Sequence, residues 1–221
     1  MSSNPCRLFL LLLLLLTTQA SAEEVGDPSR GWSAELPAGY AAPPGDGTPR
    51  KAFAWMKGDF EEGTASILVV EPLGGTIGRE PLDLEVMKAS TREAIAGSGF
   101  RITQTEVGVV PWRTHELEAI AMVVESPDES RVSVSTQVPL VPEALNVVVS
   151  GPTRMGSQLQ ADLRAFVGSL DGTTNWLDGP DGYRDDGARG VRLEEMLGFG
   201  IGVLLWVVIG AVWFVRKRRD P

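Results

Sequence analysis

The alternation of hydrophobic and polar positions divides this chain into five stretches. Residues 8–16 read LFLLLLLLL, an unbroken apolar run behind Arg7. Nine residues at about 1.5 Å each span less than half of a bilayer core of about 30 Å, which suits a secretion leader better than a membrane helix. The small residues Ala20 and Ala22 predict cleavage before Glu23, so residues 1–22 are expected to be a signal peptide. The second apolar run, Met196 to Val215, carries no charge and as a helix is long enough to cross the hydrocarbon core. Arg216, Lys217, Arg218 and Arg219 follow it directly, and positive residues stay on the cytoplasmic side. Trp213 and this basic cluster mark the inner membrane boundary, and Glu194 with Glu195 the outer one. The expected topology is a single-pass protein of the cell membrane. Its N-terminal domain lies outside (in the periplasm of a Gram-negative cell), residues 196–215 lie in the lipid bilayer, and the tail 216–221 is cytoplasmic. Gly198 and Gly202 form a GxxxG pair, a face that admits a second helix from another copy or from a partner, so a homodimer through the membrane helix is one expectation.

Between these runs the pattern is that of a folded unit, assigned to residues 23–172. Period-two stretches rich in Val, Ile and Thr predict strands at 32–36, 52–57, 66–71, 101–110, 116–125, 131–138 and 145–150. In the strand at 131–138, Val132, Val134 and Val138 fall on one face and Arg131, Ser133, Ser135 and Gln137 on the other, so one side should meet water or a partner. Two segments carry helical spacing instead. Residues 82–96, begun near Pro81 and stopped by Gly97-Ser98-Gly99, bring Leu84, Met87, Thr91, Ala94 and Ile95 towards one face. Residues 157–170 align Leu159, Leu163, Phe166, Val167 and Leu170 in a core stripe. Residues 173–195, rich in Gly and Asp, follow neither period and are expected to be a tether. Asp178, Asp181, Asp185 and Asp186 within it do not match the spacing of an EF-hand.

Strands, a helix, more strands and a last helix predict an α+β fold, an antiparallel sheet of six or seven strands with two packed helices. The opening Gly31-Trp32-Ser33-Ala34-Glu35-Leu36-Pro37, this order of elements and the ending Phe166-Val167-Gly168-Ser169-Leu170 resemble the PsbP-like proteins over about residues 30–172. That resemblance implies an α/β/α sandwich. It also implies a binding or assembly factor without a cofactor, and it carries no family site residue onto a position of this chain.

Charge narrows the partners. The leader carries only Arg7, and the tail four basic residues and Asp220, so residues 23–195 hold 15 basic against 28 acidic side chains, a net of −13. Such a surface repels nucleic acid, and no nucleic-acid partner is expected. Cys6 lies in the leader and His115 is the sole histidine, which excludes a metal centre built on Cys and His. No Ser-centred elbow or phosphate-binding loop is present; Gly97-Ser98-Gly99 reads as a helix cap, and Gly74 to Gly78 as a flexible connection. Asp59, Glu61 and Glu62 cluster in a turn and are the one nameable basis for a carboxylate hydrolase. Trp32, Trp55 and Trp112 read as core, while Trp176 is expected to be exposed or to pack back on the domain. The leading expectation is a membrane-anchored, non-enzymatic factor that binds an envelope or membrane protein, with no catalytic, cofactor or metal residues. The alternative is an anchored sensor of a small ligand or lipid, and a hydrolase comes third.

Overall fold

These patterns build two sheets and two helices in a computed structural model that describes residues 23–43, 52–60, 62–127 and 129–176. The expected leader, membrane segment and basic tail lie outside those residues, and with them Gly198, Gly202, Trp213, Arg216, Lys217, Arg218 and Arg219. Among the described residues no helix is long and apolar enough to cross a membrane. The strands in chain order are β1 (Glu23–Asp27), β2 (Trp32–Leu36), β3 (Phe53–Lys57), β4 (Ser66–Pro72), β5 (Arg101–Trp112), β6 (His115–Glu125), β7 (Ser130–Val138), β8 (Leu145–Pro152) and β9 (Asp171–Gly172). The helices are α1 (Leu84–Ala94) and α2 (Gly156–Ser169). Six strands form an antiparallel sheet in the order β3-β4-β8-β7-β6-β5.

The period of two decides which residues meet which helix. On one face Leu68, Val70, Val132, Val134, Leu145, Val147 and Val149 join the buried stripe of α2, Leu159, Leu163, Phe166 and Val167, in a single core. Full burial of such side chains stabilises by roughly 1.5–3 kcal/mol each. The helix sits close because β8 carries Gly151, where an added Cβ would lie 3.1 Å from a Leu159 methyl. On the opposite face Met87 of α1 packs on Ile120 and Met122 of β6. Two helices on opposite faces of a six-stranded antiparallel sheet are the expected sandwich.

The helix ends follow from local hydrogen bonds. The Asp83 carboxylate accepts from the N–H groups of Glu85 and Val86, both at 3.0 Å, and starts α1 two residues later than Pro81 suggests. After α1, Gly97 has φ +78°, a left-handed position that stops the helix. Ser98 donates to the Ile95 carbonyl, so Gly97-Ser98-Gly99 is the cap expected of it.

Several expectations change. Strand 32–36 does not join the main sheet. As β2 it lies between β1 and β9 in a separate three-stranded sheet, with Trp32, Ala34 and Leu36 turned into the α2 core. Its neighbours escaped the pattern because β1, Glu-Glu-Val-Gly-Asp, is mostly polar and β9 has two residues. Asp27 fixes the β1–β2 turn by accepting from the Ser29 N–H at 3.0 Å and pairing with Arg30 at 3.2 Å. The polar side of β7 is not a wet face either, since Arg131, Ser135 and Gln137 are buried. β7 is a central strand, and two of these groups find internal partners: Arg131 with Glu129 at 2.7 Å, Ser135 with the Ile120 carbonyl at 3.5 Å.

A buried polar knot ties α2 to the chain before β3. Asp162, only 5% exposed, accepts from the Tyr40 hydroxyl at 3.2 Å, from Gln158 Nε2 at 2.8 Å and from Lys57 Nζ at 3.4 Å. Burial, and then the adjacent Asp162 charge, push the Tyr40 hydroxyl well above its usual pKa, so it stays a donor at all ordinary pH. Removing the carboxylate strands the buried tyrosine hydroxyl and the half-buried ammonium together. Asp162→Ala is expected to cost about 2–4 kcal/mol and to lower the midpoint of thermal unfolding by roughly 5–15 °C. Calorimetry showing no change would mean that the knot contributes nothing.

Candidate functional site

Beyond the C-terminal end of α2 the chain runs along the sheet end instead of leaving it. The Val141 N–H donates to the Thr173 carbonyl at 2.9 Å, and Thr174 forms a bridge with Leu140. Thr174 Oγ1 then accepts from the Trp176 N–H at 3.1 Å. Residues 173–176 therefore belong to the domain and not to the tether, because their backbone groups pair with the segment after β7. The Trp176 indole N–H is donated to the Ile77 carbonyl at 3.1 Å, so the ring packs back on the fold.

Trp176 forms one wall of a cleft of about 530 Å³, which residues 77–82, the start of β6 and the end of β7 complete. The Arg79 guanidinium lies 5.2 Å from the Trp176 ring centre, and His115 meets the ring edge-on at 5.7 Å. On the sheet side are Glu118, whose carboxylate accepts from the Leu82 N–H at 2.7 Å, and Gln137, 7% exposed. Glu80 and Glu116 add negative charge to the lining. Gln137 is also part of a polar row. It pairs with Asn146 of β8, which pairs with Glu71 of β4, and Glu118 stands next in register on β6. Two carboxylates and two carboxamides thus cross four strands on the face that carries α1. Burial alone raises the Glu71 carboxyl above its ordinary value of 4.5.

The loop 74–78, expected as a flexible connection, is a fixed wall. Leu73 and Gly75 exchange hydrogen bonds with Ala144 at 2.9 and 2.7 Å, and the Gly74 N–H donates to Glu143 at 3.0 Å. Thr76 and Ile77 are buried, and Ile77 presents the carbonyl that holds Trp176. Trp32, Trp55 and Trp112 are core residues. His115 enters β6 and lies between Trp112, to which its ring is tilted, and Trp176, which it meets edge-on. Asp59 and Glu62 sit at the other end of β4, in the β3–β4 turn, where the Glu62 N–H donates to the Asp59 carboxylate at 3.3 Å; Glu61 lies outside the described residues. These exposed groups cap a turn, and the structure brings neither to the cleft. Arg79, Glu118 and Gln137 were not singled out as site residues by the sequence. Only the polar side of β7 and the aromatic residue just past α2 pointed to this place.

No family model matches the chain, and no curated protein matches its sequence. Among solved structures it is similar to a cyanobacterial PsbP (CyanoP) from Synechocystis in solution, with a TM-score of 0.43, 9% identity, and coverage of 71% of this chain and 95% of that one. It is also similar to the crystal structure of LpqN, described as involved in cell envelope biogenesis of Mycobacterium tuberculosis. There the TM-score is 0.41 and the identity 11%, covering 69% of this chain and 92% of that one. The first is a PsbP protein, the group whose pattern the sequence resembles, and what either protein does is a property of that protein.

The Glu71 shift has a definite consequence for stability. A carboxyl whose pKa is raised in the folded state disfavours folding while it is ionised, and the penalty is relieved as pH falls through the folded value. Glu71→Gln should raise the unfolding midpoint at pH 7, and the gain should vanish below pH 4.5, where the wild-type carboxyl is protonated in both states. A gain of equal size at both pH values would show that the charge of Glu71 is not its source.

Proposed function

We propose that this protein is an exported, membrane-anchored, non-enzymatic factor that binds another envelope protein and serves in assembly or as an accessory subunit. In this reading the leader 1–22 is removed, the domain runs from Glu23 to Trp176, and residues 177–195 form the tether. Residues 196–215 anchor the chain, with Arg216 to Arg219 inside. The observation that carries it is the position and make-up of the cleft. Trp176 and Arg79, residue types that dominate the energetics of protein interfaces, lie against each other at its wall, and glutamates lie around them. The same tryptophan is the point from which the chain continues towards the proposed anchor. A partner held there sits at the base of the domain, with about twenty extended residues, or roughly 70 Å at most, between it and the bilayer.

The second reading, a sensor of a small ligand, has one observation in its favour. Gln137 is more than nine-tenths buried, lines the cleft and makes no side-chain hydrogen bond among the described residues, so its carboxamide is open to a polar ligand there.

The deciding measurement is the intact mass of the full-length protein taken from its own membrane in mild detergent. The expected result is an added mass of protein size that differs from the chain and its multiples, and its loss in Trp176→Ala with thermal stability retained. An added mass of a few hundred daltons would move the assignment to the ligand sensor. A chain that carries neither would overturn both readings.

A further inference from the structure

The two edges of the main sheet are treated differently. At the β3 edge, Ala41 exchanges hydrogen bonds with Met56 at 2.9 and 2.8 Å, which occupies that short strand near its C-terminal end. At the other edge β5 ends the strand order, and it is exposed along nearly its whole length from Arg101 to Val109. An open strand of this length is a template for another strand, and proteins usually guard such edges with lysine, proline, bulges or a covering loop. Here the guards stand only at the ends, a register shift between Ile102 and Gln104 and Pro111 near the hairpin. Between them lies Glu106-Val107-Gly108-Val109-Val110, and Val107 and Val109, 54% and 51% exposed, are the exposed large hydrophobic residues of the described chain.

We propose that β5 pairs antiparallel with β5 of a second copy about a two-fold axis through Gly108, joining two six-stranded sheets into one. The register follows from the side chains. A dyad at Gly108 sets Val107 against Val109 of the second copy on the face that carries α1, because Val107 is opposite Ile120 and Ile120 packs on α1. It sets Glu106 against Val110 of the second copy on the α2 face. A dyad at Glu106 would set two like charges directly opposite each other, which is unfavourable. The α2 side also supplies complementary charge. A hollow of about 130 Å³ lies there between β5 and α2, lined by Glu106, Gly108, Val110 and Arg164 among others. Arg164 is exposed and has no ion-pair partner among the described residues. Across the dyad, Glu106 of each copy comes to the hollow that holds Arg164 of the other, and symmetry makes the contact twice. β5 contributes nothing to the Trp176 cleft, so this pairing stands or falls independently of what the cleft binds.

Cysteine cross-linking of the full-length chain in its own membrane, in a Cys6→Ser background, tests the pairing. Residues directly opposite on antiparallel strands have Cβ atoms about 4.5–5.5 Å apart, near the separation of about 3.5–4.5 Å that a disulfide bridges. A Cβ at Gly108 meets nothing within 4 Å in one copy, so Gly108→Cys should fold as the wild type does. Mild oxidation of Gly108→Cys is expected to give a covalent dimer, and adding Val109→Lys should abolish it. Arg92→Cys, at an exposed position of α1, is the control and should stay monomeric. A Gly108→Cys chain that keeps its wild-type unfolding midpoint and remains monomeric would overturn the proposal. Equal cross-linking at Arg92→Cys would also overturn it, because random collision would then account for the dimer.

Discussion

Trp112 closes β5 with its ring almost wholly buried and its indole N–H donated to the Leu170 carbonyl at 3.0 Å, and the location of the cleft follows from that bond. Leu170 is the residue at which α2 ends, so the bond fixes where the helix hands the chain on. Arg113 strengthens the joint. It takes φ +53°, which is uncommon for a residue with a side chain, in the two-residue turn between Trp112 and His115. Its guanidinium lies 4.6 Å from the Trp112 ring centre and donates to the Asp171 carboxylate at 2.7 Å and the Gly172 carbonyl at 2.6 Å. Gly172 pairs in turn with Trp32 of β2. One hairpin end thus holds the last turn of α2 and the small sheet, and it sets the course of residues 173–176 towards Ile77.

Polar groups divide into those that the fold satisfies and those that it leaves available. Asp162 has three donors around it, and removing any one partner leaves the others buried, which is the costly side of a buried charge network. The row from Glu71 through Asn146 and Gln137 to Glu118 is of the other kind. Glu118 is held by one backbone N–H, while Glu71 pays for its burial with a raised pKa and Gln137 finds no side-chain partner among the described residues. Polar groups that line a cleft with hydrogen-bonding capacity the fold does not use mark a place where something else can bind, and the row runs into the cleft.

How much of this was legible depends on whether a feature arises within one element. Strands β4 to β8 and both helices were readable because their apolar residues recur locally, as an alternation or a stripe in most of them and as a continuous run in β4 and β8, which are buried on both faces. The stripe Leu159, Leu163, Phe166, Val167 is entirely buried, as its spacing predicts. The pairing of strand 32–36 was not readable, since its partners are a polar strand of five residues and one of two, neither long enough to show a period. The polar side of β7 misled for a related reason: alternation in one strand says which residues share a face, and only the neighbouring strands decide whether that face is wet. The cleft was hardest to see. Its residues come from the loop before α1, the start of β6, the end of β7 and the chain past α2, and no motif joins segments so far apart. Trp176, the aromatic residue left over after the last helix, and the polar side of β7 were its two signals in the sequence.

Open edge and cleft give the domain two distinct surfaces, one suited to its own copy and one to a different molecule. The latter depends on the strap 173–176 being a fixed part of the domain rather than the start of a loose tether. Hydrogen exchange of the Trp176 indole proton, followed by NMR on the full-length protein in detergent, measures this directly. A Trp176 indole proton donated to Ile77 exchanges many-fold more slowly than that of a solvent-exposed tryptophan, and so does that of Trp112. A Trp176 indole proton that exchanges at the open rate while Trp112 stays protected would contradict the account, because the cleft would then have no fixed wall.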